Sequence, residues 1–134
     1  MLKPESNVEI VKAGLDAWNR RDIDAVIEIL HQDAELLPMR AVFEGTVYRG
    51  AGGFRTFLKD MGEEWDDFRL EPDEFREIDE SRVLVLGRLQ GRGKASGMEF
   101  EAPAAWVCDL REGKVAKVQF FAHEEAVRDA LGLD

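Results

Sequence analysis

The apolar residues of this chain keep two different rhythms, and the change from one to the other falls at Asp66. Before it, Val8, Val11, Leu15 and Trp18 recur at three- and four-residue steps, the stripe of an amphipathic helix. Ile23, Val26, Ile27 and Leu30 form a second stripe, and Phe54, Phe57, Leu58, Met61 and Trp65 a third. After it, apolar and charged residues alternate, as in strands with one face buried. Helices early and strands late in 134 residues dictate an α+β layer. An antiparallel sheet of about 4–6 strands curls over three N-terminal helices, and a short C-terminal helix follows.

Punctuation sharpens this plan. Ser6 followed by Glu9 reads as a capping box for the first helix, and Asp22 as the cap of the second. Residues 33–37 read as a short strand stopped by Pro38, and Val47-Tyr48 as its partner. Gly50-Ala51-Gly52-Gly53 opens the third helix. Strands are expected at 82–90, 98–110 and 115–122, separated by the glycine-bearing turns Gly91-Arg92-Gly93-Lys94 and Arg111-Glu112-Gly113-Lys114. A helix at 124–131 ends with Gly132 at its C′ position. No repeat or linker interrupts the series, so residues 1–134 read as one domain.

Charge removes several classes of partner. Lys+Arg number 18 against 28 Asp+Glu, a formal net charge of −10. Such a surface repels phosphate backbones and anionic bilayers, so neither nucleic acid nor membrane is an expected partner. Cys108 is the single cysteine, which precludes an intrachain disulfide and suits a reducing cytoplasm. No apolar run reads as a secretory leader or approaches a membrane span.

Three stretches carry a resemblance: AWNRRDIDAVIEILHQDAEL, YRGAGGFRTFL and LREGKVAKVQFFAHEEAVRDALGL. In this order over nearly the whole chain, they resemble the SnoaL-like branch of the nuclear transport factor 2-like superfamily. The resemblance implies a cone in which the sheet wraps the helices around an apolar pocket. It also implies a homodimer through the outer sheet face. Relatives include polyketide cyclases, ketosteroid isomerases, limonene epoxide hydrolases and non-catalytic proteins, so the fold does not choose the function. Set against ketosteroid isomerases, the oxyanion tyrosine falls on Gly14, the base on Pro38 and the aspartic acid on Ala105. Against limonene epoxide hydrolases, Arg88 matches the arginine, while Gln90 and Phe120 stand at the aspartate positions. Neither catalytic set is complete.

The residues still offer candidates. Glu101 lies in an otherwise small or apolar run and shares a face with Pro103, Ala105 and Val107, which the comparison turns inward. A carboxylate buried there would serve as general acid or base, whereas at a sheet edge it would only reach solvent. His123 is either a second proton carrier at the strand end or the corner where a strand becomes a helix. Arg88, on a face with Leu84 and Leu86, either enters the cone to hold a carbonyl or carboxylate or stays outside. Arg40 is a rim candidate of the same kind. Tyr48 either donates its hydroxyl into the cavity or packs on the third helix. Trp18, Phe54, Trp65 and Phe120 would shape an apolar ligand site while serving as core. His31 is expected to close the second helix.

Other motifs fail on their own terms. His123-Glu124-Glu125-Ala126-Val127 lacks the second histidine of a zinc helix. Gly87 to Lys94 has the wrong spacing for a phosphate loop and joins two strands. No metal or cofactor is expected. The sequence therefore predicts a protein that binds a small, largely apolar metabolite in the cone. Cofactor-free isomerase, cyclase or hydrolase chemistry would accompany that binding. The alternative is a non-catalytic ligand-binding or dimeric interaction module.

Overall fold

The computed structural model describes residues 6–38 and 47–132. Arg40 lies outside the described residues. Helix α1 (Asn7–Asn19) begins where Ser6 Oγ accepts a hydrogen bond of 3.1 Å from the Glu9 backbone N–H, which would otherwise have no partner. Asp22 starts α2 (Ile23–Glu28) in the same way, accepting from the Ala25 N–H at 3.2 Å. Strand β1 (Leu30–Leu37) and the short β2 (Tyr48–Arg49) precede α3 (Gly50–Glu64). Four long strands follow: β3 (Trp65–Glu77), β4 (Arg82–Gly93), β5 (Glu99–Arg111) and β6 (Lys114–Phe121). Helix α4 (Glu124–Leu131) ends on Gly132, which takes the left-handed conformation expected of it.

The six strands form one open sheet in the order β2-β1-β6-β5-β4-β3. From β3 to β6 it is the antiparallel meander that the alternating pattern predicts. One pairing corrects the expectation of a wholly antiparallel sheet. β1 runs parallel to β6, with Leu36 opposite Val118. That register lays the fully buried Ala34 and Leu36 on the same inner surface as Val118 and Phe120.

The second helix is also shorter than its apolar stripe suggested. Leu30 pairs with Val115, and the Val115 N–H donates to Ile29 O at 2.8 Å, so sheet pairing takes over where helix propensity was weak. His31 therefore sits in β1, where Nδ1 accepts from the Asp33 N–H at 3.1 Å. The ammonium of Lys114 meets the exposed end of α2 instead, donating to Glu28 O at 2.8 Å.

Irregularities bend the long strands. The β3–β4 register shifts between Asp66 and Arg69 and again between Pro72 and Glu74. Pro72 lacks an N–H to give the ladder, and opposite it a Cβ on Gly87 would run into the carbonyl oxygen of Glu71. The bent sheet has two unlike faces. Val83, Val85, Leu89, Ala104, Trp106, Cys108 and Phe120 face the helices, where Ile10, Val11, Leu15, Trp18, Phe54 and Phe57 complete the main core. On the outer face, Leu84, Ala105, Val107 and Phe121 are covered by α4, with Val127 fully buried among them.

Candidate functional site

The segment Trp18-Asn19-Arg20-Arg21-Asp22 joins α1 to α2 and ties both to the sheet at β3. The side chain of Asn19 bonds the Leu70 backbone in both directions, donating to the carbonyl at 2.8 Å and accepting from the N–H at 3.0 Å. Arg21 donates to the carbonyl oxygens of Trp18 and Phe68. Burial, with Arg69 nearby, lowers the pKa of its guanidinium below the usual arginine value. These bonds fasten the C-terminal end of α1 to β3 and fix Trp18 against the interior.

Two voids follow along the inside of the sheet. The deep one, about 60 Å³, has almost wholly apolar walls that include Leu15, Trp18, Leu36, Phe54, Trp106 and Cys108. Burial pushes the Cys108 thiol up to about 12, so it is protonated and unreactive at neutral pH. The outer one, about 310 Å³, opens at the mouth between α3 and the sheet, lined by Phe57, Met61, Trp65, Phe68, Phe100 and others. Glu64 is the only ionisable side chain on that wall among the described residues. Phe100 reaches the mouth because its ring lies over Gly91, where a Cβ would stand 2.8 Å from it, and packs on Trp65 at 4.6 Å between centroids. Phe120 belongs to both voids. It stacks on Phe57 at 6.5 Å, and Phe57 in turn meets Trp18 at 5.7 Å.

The candidates read from the sequence separate along these faces. Trp18 and Phe54 line the deep void, Trp65 the mouth, and Phe120 both. Glu101 corrects its expectation: it lies on the outer face, with its side chain 54 % exposed. Gln90 donates to it at 2.8 Å, and Arg88 lies 3.6 Å away. Arg88 is outside as well, with Asp73 at 3.2 Å. Its hydrogen bond to Asp73 raises the guanidinium pKa above the usual arginine value, Glu101 adding less. The physical reason is parity. On β5 the set 99, 101, 103, 105, 107 carries both glutamates, and the alternate set Phe100, Ala102, Ala104, Trp106, Cys108 carries no charge, so the sheet buries the second. Ala105 faces out too, and the inward Ala104 and Trp106 beside it supply no acid.

Tyr48 turns to α3: its ring meets Phe57 edge-on at 5.2 Å and its hydroxyl reaches Asp60 at 3.5 Å. His123 is exposed at the corner and caps α4, Nδ1 accepting from the Ala126 N–H at 3.1 Å. Sequence reasoning missed Phe68, Leu89 and Phe100 as mouth residues. The uncharged parity of β5 was the signal for Phe100.

A curved open sheet that packs helices on its inner side, with an apolar void between them, is the nuclear transport factor 2-like cone. Within that fold the chain belongs to the family of the SnoaL-like domain, which matches residues 11–118. The cone is similar to a nuclear transport factor 2-like protein from Burkholderia thailandensis, at 25 % identity and a TM-score of 0.79 over 95 % of this chain and 98 % of that one. It is similar to TerC, crystallised with polyporic acid, at 23 % identity and 0.77 over 93 % and 96 %. A candidate polyketide cyclase from Xanthomonas campestris gives 22 % identity and 0.75 over 92 % and 93 %. Among curated proteins none matches the chain. No helix among the described residues is long and apolar enough to cross a membrane.

Proposed function

We propose that this protein binds a small, largely apolar metabolite in the mouth of the cone. The observation that carries the reading is the mouth void of about 310 Å³, within the ~300–1,000 Å³ of small-molecule sites and walled by aromatic and aliphatic side chains. The ligand named with TerC and the cyclase designation of the Xanthomonas relative support a ligand-handling role of this kind. Acid–base chemistry has weaker support here. With Glu101 and Arg88 outside, the described residues of the two voids offer only Glu64 and an unactivated thiol as proton carriers. Binding is therefore the leading reading and cyclase-type catalysis the second.

A thermal-shift screen against polycyclic ketones, quinones, lactones, epoxides and fatty acids tests it. A ligand at about 100 times its Kd adds ~2.7 kcal/mol, which in a chain of this length raises Tm by roughly 8–15 °C. A shift confined to one chemical class supports the pocket, and an absence of any shift across all classes removes this reading.

A further inference from the structure

The wall of the mouth void sorts itself by depth. Phe57, Phe68, Leu89 and Phe120 are buried and form its inner part. Trp65 and Phe100 are half-buried, Glu64 is exposed, and these three stand at the rim. The Trp65 and Phe100 rings touch, with centroids 4.6 Å apart. At the rim, therefore, two π-systems and one carboxylate border the same space. Both kinds of group draw positive charge, the rings through the negative potential over their faces and the carboxylate directly.

Glu64 is not answered from within the chain. Among the described residues its carboxylate has neither a hydrogen bond nor an ion pair, whereas Glu101 and Asp67 on the outer face are held by Gln90 and Arg92. Lys94 also reaches the end of α3, but its charge is engaged there. Its ammonium donates to Gly62 O at 2.6 Å and its backbone N–H to Glu64 O at 3.0 Å. No cation among the described residues lines the void. The net charge of −10 further enriches a positive guest near the surface and depletes an anion.

The same wall narrows the kind of cation. A primary ammonium is strongly hydrated and carries three N–H donors. The side chains here offer it Glu64 and then no acceptor stronger than the Met61 thioether. A tertiary or quaternary ammonium makes no such demand, and aromatic walls suit its methyl groups. Volume sets the body. About 310 Å³ is roughly twice the ~150 Å³ cavity that accepts a benzene ring, so one ring with a short arm fills it.

On these grounds, and resting on the pocket reading above, we infer that the ligand is an alkylated amine, tertiary or quaternary, on a compact apolar body. The ammonium head lies at the rim beside Glu64 and the Trp65–Phe100 pair. The body runs inward against Phe57, Phe68 and Phe120. Glu64 and Trp65 are thus the specificity-determining residues, and the mouth turns anions away.

Three probes of one shape test this: benzyltrimethylammonium, its carbon isostere neopentylbenzene, and phenylmethanesulfonate, which sets an anion at the same place. Each is titrated by the intrinsic fluorescence of the protein, and by the indole N–H cross-peaks of 15N-labelled protein. The ammonium probe is expected to bind roughly 10-fold more tightly than neopentylbenzene and to move the Trp65 cross-peak. The sulfonate is expected to bind more weakly than either. Glu64→Gln, at an exposed position with no partner to lose, should weaken the ammonium probe about 3-fold and leave neopentylbenzene unchanged. Trp65→Leu should narrow the ammonium-to-isostere ratio further. The wild-type ratio and Glu64→Gln decide the matter even where Trp65→Leu folds poorly. Neopentylbenzene or the sulfonate binding as tightly as the ammonium probe overturns this inference and leaves the pocket standing, and so does a ratio that Glu64→Gln does not change. Failure of all three probes to bind overturns the inference, and the pocket reading falls with it if the wider screen is also blank.

Discussion

The two faces of β4 and β5 show how differently one pair of strands can behave. Inside, Val83, Val85, Ala104 and Trp106 meet helices, and among the described residues the one buried side-chain polar atom without a partner is the Trp18 indole N–H. Outside, toward the β3 edge, Arg88, Arg92, Gln90 and Glu101 answer one another and Asp67 and Asp73 in exposed pairs of 2.8–3.6 Å. Exposed ion pairs of this kind contribute about 0–1 kcal/mol each, because water competes for both partners. The inner face supplies stability and leaves one polar group unanswered, and the outer face satisfies its polar groups at little energetic consequence. An acidic residue beside arginines on an exposed strand face is thus weak evidence of a site.

The sharpest test of this contrast uses Cys108, which lies on the inner face. Its thiol, held at about 12, should react with an aromatic disulfide reagent at pH 8 at least about 10³ times more slowly in the native protein than in urea, since only opened molecules expose it. Fast labelling of the native state would mean that the chamber opens freely. Next, Trp106→Ala should cost about 3–5 kcal/mol in urea unfolding, the range for removing a buried aromatic ring. A loss under about 1 kcal/mol would show the inner face to be loosely packed. Smallest of all, Glu101→Gln should change stability by no more than about 0.5 kcal/mol. A much larger loss would give the outer face an energetic weight that its exposure does not suggest.

Much of the fold was legible in the sequence because periodicity is a local property. The stripes at Val11-Leu15-Trp18 and Phe54-Phe57-Met61 gave α1 and α3, and Ser6, Asp22 and Gly132 marked ends where the caps were found. What was not legible was which of two alternating sets on a strand faces in. That choice depends on partners far along the chain, and a shift of one position exchanges every side chain. Glu101 and Arg88 were misassigned for this reason, although the glutamates on their parity already argued for solvent. Leu30 and His31 went astray in a similar way, since pairing with Val115 lies 85 positions downstream. The orphan indole could not be read at all: nothing in the letters tells that Trp18 lacks an acceptor.

The parallel pairing of β1 with β6 also bears on how the molecule is made. In the sheet, β6 lies between β1 and β5, although it is the last of the six strands in the chain. A nascent chain that has emerged only as far as β5 can pair β3, β4 and β5, but it has no surface on which β1 can dock. The N-terminal half then waits with one edge of β1 unpaired until β6 arrives and joins the two halves. Such distant pairing slows folding, because the loop must close before any contact repays it. During translation, therefore, that β1 edge stays open until β6 has been made, an unpaired strand edge of the kind that invites association.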